Sequence, residues 1–309
     1  MKTNSSPLCA SVPLCVPTSL SSWLSATRDW FDAALDALVP AADTRPAPLH
    51  AAMRHSLFAG GKRLRPLLAI AAAEAAGAPR DAALYPAAAI ECLHTYTLIH
   101  DDLPCMDDDD LRRGVPTCHK VYGEATALLA GDALQALAFA LAAQTPVNPV
   151  PVVRELAYAA SSTAVVGGQV EDMLSETGAV PHDLSTLSFI QQHKTGDLIR
   201  AATRMGALAA DASPETLSAL TAYAVAIGEA FQIADDLLDA TSTPEAMGKS
   251  TQSDAARGKL TAVTLLGLPA ARDRLESLTQ SALSALAPLP PPARSLLSSL
   301  ALRLASRTH

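Results

Sequence analysis

The stretch AAAIECLHTYTLIHDDLPCMDDDD, residues 87–110 of the 309-residue chain, combines a helical pattern with a run of aspartates, and these two features predict the fold and the site. Its first part is apolar with helical spacing, and its last ten residues contain six aspartates. Such a density of like charge is costly unless cations or solvent absorb it, and most acidic runs are simply solvated helix ends or loops. A second cluster in FQIADDLLD (231–239) weakens that interpretation, because it lies within another amphipathic helical pattern far along the chain.

The spacing of each cluster predicts which carboxylates meet. Asp235 and Asp239 are four residues apart and therefore share one face of a helix. Pro104 should end the preceding helix after Asp102, so that an irregular turn brings Asp107 back to the helix end. Both clusters then present only oxygen ligands, which favour hard cations such as Mg²⁺ together with water and substrate phosphates. Two facing carboxylate groups suit a bound diphosphate.

The residues at the required positions exclude an EF-hand calcium loop and a nucleotide-binding Walker loop. An EF-hand calcium loop needs Asp or Asn at alternate positions and a glycine at the sixth, where this run has Leu103, Cys105 and Met106. The GGK and GKS groups at 60–62 and 248–250 are not Walker loops, because Arg63 follows the first lysine and Thr243 replaces the first glycine of the second.

Short basic groups accompany the aspartates. They are GGKRLR at 60–65, Arg112 with Arg113 directly after the first acidic run, and Lys194 in QQHKTG. Basic side chains in an acidic protein are commonly surface residues that aid solubility. Their position beside glycines and aspartates indicates phosphate binding instead, with arginine as a forked donor and lysine as a point charge.

Composition predicts an all-α protein. Hydrophobic residues make up 49% of the chain and aromatic residues only 4%, with alanine and leucine dominant. The net charge of -8 argues against a nucleic-acid surface. Five cysteines without a C-x-x-C pair favour a reducing, cytoplasmic setting. Charged or polar residues interrupt the most apolar stretches, so no membrane span is predicted.

Short breaks that contain Pro, Gly or Asp separate the apolar helical segments, and their number predicts roughly ten helices in one domain. Residues 1–20 are rich in Ser and Pro and are expected to be a disordered extension. They lack the basic region and compact apolar core of a secretory signal, and an organelle-targeting segment is the alternative. Residues 21–309 are expected to form a single domain.

Six ordered motifs resemble the trans-isoprenyl diphosphate synthases, most closely the bacterial farnesyl diphosphate synthase type. The motifs are GGKRLRP (60–66), ECLHTYTLIHDDLPCMDDDDLRRG (91–114), GGQ (167–169), HKTGDLIRAA (193–202), FQIADDLLD (231–239), and GKS (248–250) with DAARGK (254–259). The resemblance covers about His50 to Gly267, and the ordered set is far more specific than one D-D-x-x-D motif. It implies an isoprenoid synthase helical bundle around a central cleft, in a homodimer.

The resemblance also implies an activity, namely the head-to-tail condensation of isopentenyl diphosphate with an allylic diphosphate, dimethylallyl or geranyl. Mg²⁺, with Mn²⁺ as a substitute, would be held by Asp101, Asp102, Asp107, Asp235, Asp236 and Asp239. The allylic diphosphate would be bound by Arg112, Lys194, Thr195, Gln232, Lys249 and Lys259. Isopentenyl diphosphate would be bound by Lys62, Arg65, His94 and Arg113. The residues expected to be catalytic are Asp101, Asp102, Asp107, Asp235, Lys194 and Arg112.

Product length is expected to depend on two residues of the first motif. In the family, the fifth and fourth residues before the first aspartate, here Tyr96 and Thr97, form the floor under the growing chain. An aromatic floor should stop elongation at farnesyl diphosphate. Geranylgeranyl diphosphate synthase is the alternative, since its plant-type members share the LPCMD insertion but usually lack an aromatic residue at this position. Phe231 belongs either to the opposite wall or to ordinary core.

Two further alternatives are a terpene cyclase and a non-catalytic prenyltransferase subunit. A cyclase lacks the GGKRLRP and KTG groups for a second diphosphate, and non-catalytic subunits typically lose one aspartate cluster. Four departures from the family pattern are Val115, Asp197, Ala262 and Val263. Asp197 lies three residues after Lys194 and is expected to compete for its ammonium group.

Overall fold

The computed structural model describes residues 19–241 and 259–306. The described residues form an almost entirely helical protein, which confirms the predicted fold class. Within the described residues there are fourteen α-helices: α1 Leu20–Leu38, α2 Ala47–Leu57, α3 Leu64–Ala75, α4 Leu84–Asp101, α5 Cys118–Tyr122, α6 Glu124–Ala143, α7 Pro149–Ala159, α8 Val165–Glu176, α9 Leu184–Ile190, α10 Asp197–Ala209, α11 Pro214–Thr241, α12 Ala262–Leu266, α13 Leu268–Ala285 and α14 Pro291–Ala305.

Three shorter elements complete the description. A 3₁₀ turn spans Arg80–Ala83, a π-helix spans Gln191–Gly196, and a two-residue hairpin pairs β1 (Leu111–Arg112) with β2 (Val115–Pro116). The helix count exceeds the predicted ten because α5, α9 and α12 have only five to seven residues. Such short helices are too brief to show a clear 3.6-residue period.

The centre of the bundle is built from α3, α4 and α10. Nearly every residue of α3 from Leu67 to Ala73 is buried, which fits its run of alanine, leucine and isoleucine. Gly206 of α10 lies against the backbone of Ala69, so close that a Cβ there would be 2.0 Å from the Ala69 carbonyl oxygen. The absence of a side chain at position 206 therefore allows these two helices to pack backbone to backbone.

The long helix α11 joins this core to a second, smaller one. Its Ile233 and Leu237 pack in a cluster that includes Leu187 and Leu260. On the other side, the fully buried Tyr223 donates a hydrogen bond from its hydroxyl to the Leu297 carbonyl of α14, 2.8 Å away. α11 thereby holds its carboxylates at a fixed place relative to the rest of the bundle.

The N-terminal extension was predicted to end at residue 20. Residues 1–18 lie outside the described residues, and α1 already begins at Leu20 with Ser19 as its N-cap. The expectation of a single domain over 21–309 stays a prediction.

Within residues 19–241 and 259–306, two helices are long and apolar enough to cross a membrane, namely α6 and α11. The most apolar windows of α6 and α11 are 39% and 56% buried inside the protein. Both helices pack against several others, and core helices of soluble bundles pass the same test, so this is weak evidence for a span.

Candidate active site

The first aspartate cluster folds back on itself as expected. α4 ends at Asp101, one residue earlier than predicted, and Asp102 is its C-cap two residues before Pro104. The chain then turns so that the Asp107 amide donates a hydrogen bond to the Asp101 carbonyl oxygen, 2.8 Å away. The backbone thus brings Asp107 next to the helix end, although five residues separate it from Asp101.

Arg112 is already engaged by this cluster. Its Nε donates to Asp102 Oδ1 at 2.8 Å, and its Nη2 lies 3.0 Å from Asp109 Oδ2. The Asp102 side chain is buried, and the β1–β2 hairpin, in which Val115 pairs with Arg112, holds the guanidinium in place. The sequence motif predicts Arg112 as a diphosphate ligand, and nothing in its spacing indicates this ion pair.

The second cluster has one carboxylate in a structural role. Asp236 is 6% exposed and accepts hydrogen bonds from the Ala262 amide at 2.8 Å and from Gln232 Nε2 at 3.0 Å. Thr195 of the π-helix donates to Gln232 Oε1 at 2.9 Å. A polar chain therefore joins the π-helix, α11 and the start of α12. Asp235 and Asp239 are half-buried on α11.

Burial perturbs a carboxylate in each cluster. It raises the pKa of Asp101 to about 6, with Lys194 opposing and Asp107 adding to the rise. Burial also raises the pKa of Asp235 to about 7, reinforced by Asp236 and opposed by Arg65. Carboxylates held in low dielectric with like-charged neighbours gain from a bound cation. These donors therefore fit Mg²⁺, which prefers oxygen ligands.

The carboxylates of the described residues do not form a preassembled metal site. In the part of the chain that the structure describes, no three His, Cys, Asp or Glu side chains already converge as a metal site. Mg²⁺ commonly keeps several waters and completes its shell with substrate phosphates.

Arg65 and His94 form a half-buried hydrogen-bonded pair. Arg65 Nη1 lies 3.1 Å from His94 Nε2, while the buried atoms Arg65 Nε and His94 Nδ1 have no hydrogen-bond partner among the described residues. Burial, aided by Arg113, lowers the pKa of Arg65 to about 10. Arg113 donates to the Gly60 carbonyl, and a Cβ at Gly61 would collide with the Arg113 guanidinium. Unpartnered donors among clustered cations are suited to an anion.

Three more of the predicted phosphate ligands are lysines. Lys62 is exposed, and Lys259 Nζ lies 3.5 Å from Glu176 Oε1. Lys249 lies outside the described residues. The neighbouring Arg63, which sequence analysis did not single out, is 4% exposed and bonds Asp32 and Glu91 at 2.8 Å each. It is a structural residue that anchors the GGK loop to α1 and α4.

The expected competition between Asp197 and Lys194 is wrong. Lys194 Nζ pairs with Asp172 of α8 at 2.5 Å. Asp197 is buried and turns away, accepting from His193 Nδ1 at 2.7 Å and from Arg200 Nε at 3.3 Å. The π-helix causes the difference, because its wider turn changes which side chains share a face. Only the tertiary contact between α8 and the π-helix reveals Asp172 as the partner.

The first aspartate cluster and the predicted floor border one cavity of about 470 Å³. Asp101, Lys194 and Thr195 line it together with Tyr96 and Thr97. The other lining residues are mostly apolar.

The second aspartate cluster borders another cavity. Asp236 lines that cavity together with Lys194, which therefore lies at both. Phe231 packs against the main core.

The comparisons with known proteins agree with this geometry. The chain matches the polyprenyl synthetase family model over residues 46–286. It is 46% identical over 242 residues to farnesyl diphosphate synthase of Escherichia coli strain K12, covering 76% of this chain and 80% of that one. It is also 46% identical over 268 residues to geranylgeranyl pyrophosphate synthase 7, chloroplastic, of Arabidopsis thaliana, covering 85% and 76%.

A solved structure shows the same fold. The FPP/GFPP synthase of Zymomonas mobilis superposes with a TM-score of 0.82 at 39% identity, covering 93% of this chain and 98% of that one. The chain belongs to the polyprenyl synthetase family. It is a prenyltransferase, and the family implies prenyl diphosphate substrates. The relatives include both farnesyl and geranylgeranyl synthases.

Proposed function

We propose that the protein condenses isopentenyl diphosphate with dimethylallyl and then geranyl diphosphate to give farnesyl diphosphate. The observation that carries this proposal is one cavity lined both by Asp101, Lys194 and Thr195 and by Tyr96 with apolar side chains. Charged and polar groups suit the diphosphate of an allylic substrate, and the aromatic and apolar lining suits its hydrocarbon part.

Each transfer proceeds by breaking and making one bond. The allylic carbon–oxygen bond ionises and both electrons remain on the diphosphate. The isopentenyl double bond then attacks the allylic cation, and the new cation loses a proton to the released diphosphate. No nucleophile and base pair is therefore required of the protein. Mg²⁺, held by the Asp101, Asp102 and Asp107 group and by Asp235, Asp236 and Asp239, would neutralise the charge that develops on the leaving diphosphate.

The basic side chains divide between two anions. Lys194, Thr195 and Gln232 lie beside the second aspartate cluster and suit the allylic diphosphate. The two guanidinium groups of Arg65 and Arg113, with the neutral His94 imidazole hydrogen-bonded to Arg65, form a half-buried group that suits isopentenyl diphosphate. Binding of the allylic diphosphate requires Lys194 to exchange Asp172 for phosphate oxygens. Apolar walls shelter the cation from water.

The metal proposal is tested by replacing one carboxylate. Asp101→Asn should lower turnover with Mg²⁺ by about 10²-fold or more, because one oxygen ligand at the ionising bond is lost. Asp110→Asn is a matched control, since Asp110 pairs with Lys120 on the surface. Full activity in Asp101→Asn would show that the metal assignment is wrong, and activity that needs neither Mg²⁺ nor Mn²⁺ would do the same.

Product length is tested at Tyr96, which is 6% exposed in the wall of the cavity. Tyr96→Ala should shift the main product from farnesyl to longer chains by removing the volume that stops elongation. Tyr158→Ala is the control, because Tyr158 is 42% exposed on α7, away from this cavity. Geranylgeranyl diphosphate as the main product of the wild type would favour the alternative, geranylgeranyl synthase activity.

A non-catalytic subunit is the second alternative. It predicts no turnover by the purified chain and activity only after mixing with a homologous chain. Both aspartate clusters are whole, which favours the catalytic role. We further propose a cytoplasmic homodimer.

A further inference from the structure

His100 directly precedes Asp101 in the chain and contacts Tyr96. The two residues are four apart on α4 and share one face of the helix. Their rings meet edge to face, with centroids 5.5 Å apart and planes at 86°. Both side chains line the 470 Å³ cavity. Contacts of this geometry are favourable beyond simple burial, so the imidazole restrains the phenol ring.

The imidazole is itself fixed by α6. His100 Nε2 donates a hydrogen bond to the Leu128 carbonyl oxygen, 3.0 Å away, and Asp132 Oδ1 lies 3.9 Å from the same nitrogen. Gly131 faces this ring. A Cβ at position 131 would lie 2.2 Å from His100 Nε2, far inside van der Waals contact. The ring occupies its position because α6 carries a glycine at that point.

We propose that Gly131 and His100 set the product length by positioning Tyr96. Gly131 is then a specificity-determining residue and His100 a positioning residue. The inference rests on the proposed prenyl transfer and adds to it a second layer behind the aromatic floor. Tyr96 blocks the growing chain, His100 keeps Tyr96 in the blocking position, and Gly131 provides the space in which His100 sits.

Two substitutions should act in opposite directions. Without the imidazole in His100→Ala, the Tyr96 ring can rotate into the vacated space and the cavity deepens. In Gly131→Ala, the new methyl group pushes the imidazole away from α6 and towards the cavity, which becomes shallower. The first variant should therefore lengthen products and the second should shorten them.

The experiment measures product chain lengths from dimethylallyl and geranyl diphosphate with Mg²⁺. His100→Ala should raise the ratio of geranylgeranyl to farnesyl product about 3- to 10-fold, the range expected for loss of one aromatic contact. Gly131→Ala should raise the share of geranyl product. In the double variant Gly131→Ala/His100→Ala the methyl has no ring to displace, so its product distribution should match His100→Ala.

The double variant separates positioning from damage to the fold. If Gly131→Ala merely distorted α6, its effect would persist without the imidazole, and that result would overturn the proposal. Unchanged product lengths in active His100→Ala would also overturn it, even if the Gly131 variants do not fold. His50→Ala is the matched control, because His50 Nδ1 bonds the Thr44 carbonyl at 2.9 Å on the exposed surface. If the wild type transfers no prenyl group from either primer, the proposed function itself fails.

Discussion

Burial lowers the pKa of both His94 and Arg65, an effect that their positions in the sequence do not indicate. His94 has its pKa lowered well below 6.5 by burial first and then by Arg65 and Arg113. The imidazole therefore stays neutral and Arg65 supplies the charge. Sequence resemblance marked both residues as ligands, and their hydrogen bond shows that they work as a pair. Burial is a tertiary property, so the local sequence does not fix this protonation state.

The lowered pKa of His94 predicts an acid-sensitive protein. As pH falls below 6.5, the unfolded chain takes up a proton at His94 while the folded chain does not. Stability from this residue is thus present above 6.5 and falls by at most about 1.4 kcal/mol per pH unit below it. His94→Gln should reduce the loss of unfolding free energy between pH 7 and pH 5, measured by urea denaturation.

The control for this measurement is His50→Gln, which replaces an exposed histidine. An equal pH dependence in the wild type and His94→Gln would contradict the lowered pKa of His94.

At the scale of elements, the packing of the π-helix against α8 decides where two of the site residues lie. The π-helix Gln191–Gly196 places Lys194 against Asp172 of α8 and turns Asp197 towards His193 and Arg200. A Cβ at Gly168 of α8 would lie 2.2 Å from the Lys194 amide nitrogen, so α8 packs directly on this segment. Sequence periodicity assumes 3.6 residues per turn and therefore predicted the wrong neighbour for Lys194.

The close contact between α3 and α10 predicts that a side chain at position 206 destabilises the fold. Gly206→Ala places a methyl group 2.0 Å from the Ala69 carbonyl oxygen. A backbone atom cannot move aside by a rotamer change, as a flexible side chain can. Overpacking of this kind should destabilise the fold by about 1–3 kcal/mol, despite the better helix propensity of alanine. Gly206→Val should cost more than Gly206→Ala. Thermal unfolding measures both, and an unchanged melting temperature in both variants would show that the two helices can separate without loss.

At the scale of the whole molecule, α6 is unusually apolar for its exposure. Its most apolar window is only 39% buried, and Leu129, which does not line the 470 Å³ cavity, is 56% exposed. Exposed apolar helix faces commonly mark an interface between subunits. We therefore include α6 in the interface of the proposed homodimer.

Leu129→Glu should therefore shift the protein from dimer to monomer, because a charge replaces an apolar side chain at the interface. Sedimentation velocity measures the change. Leu302→Glu on α14, where Leu302 is 52% exposed, is the matched control and should leave the mass unchanged. A wild type that sediments as a monomer, or a Leu129→Glu variant that stays a dimer, would exclude this interface.

The sequence by itself determined the helical class, the ordered motifs and the residue types of the site. Helical periodicity, the two aspartate spacings and the Pro104 turn are local properties, so they are readable from the chain. The tertiary structure decided which of these groups pair with one another. Asp236 accepts from the start of α12, Lys194 pairs with Asp172, and His100 lies on Tyr96 in the space left by Gly131. Packing between helices distant in sequence creates these contacts, and no local pattern encodes them.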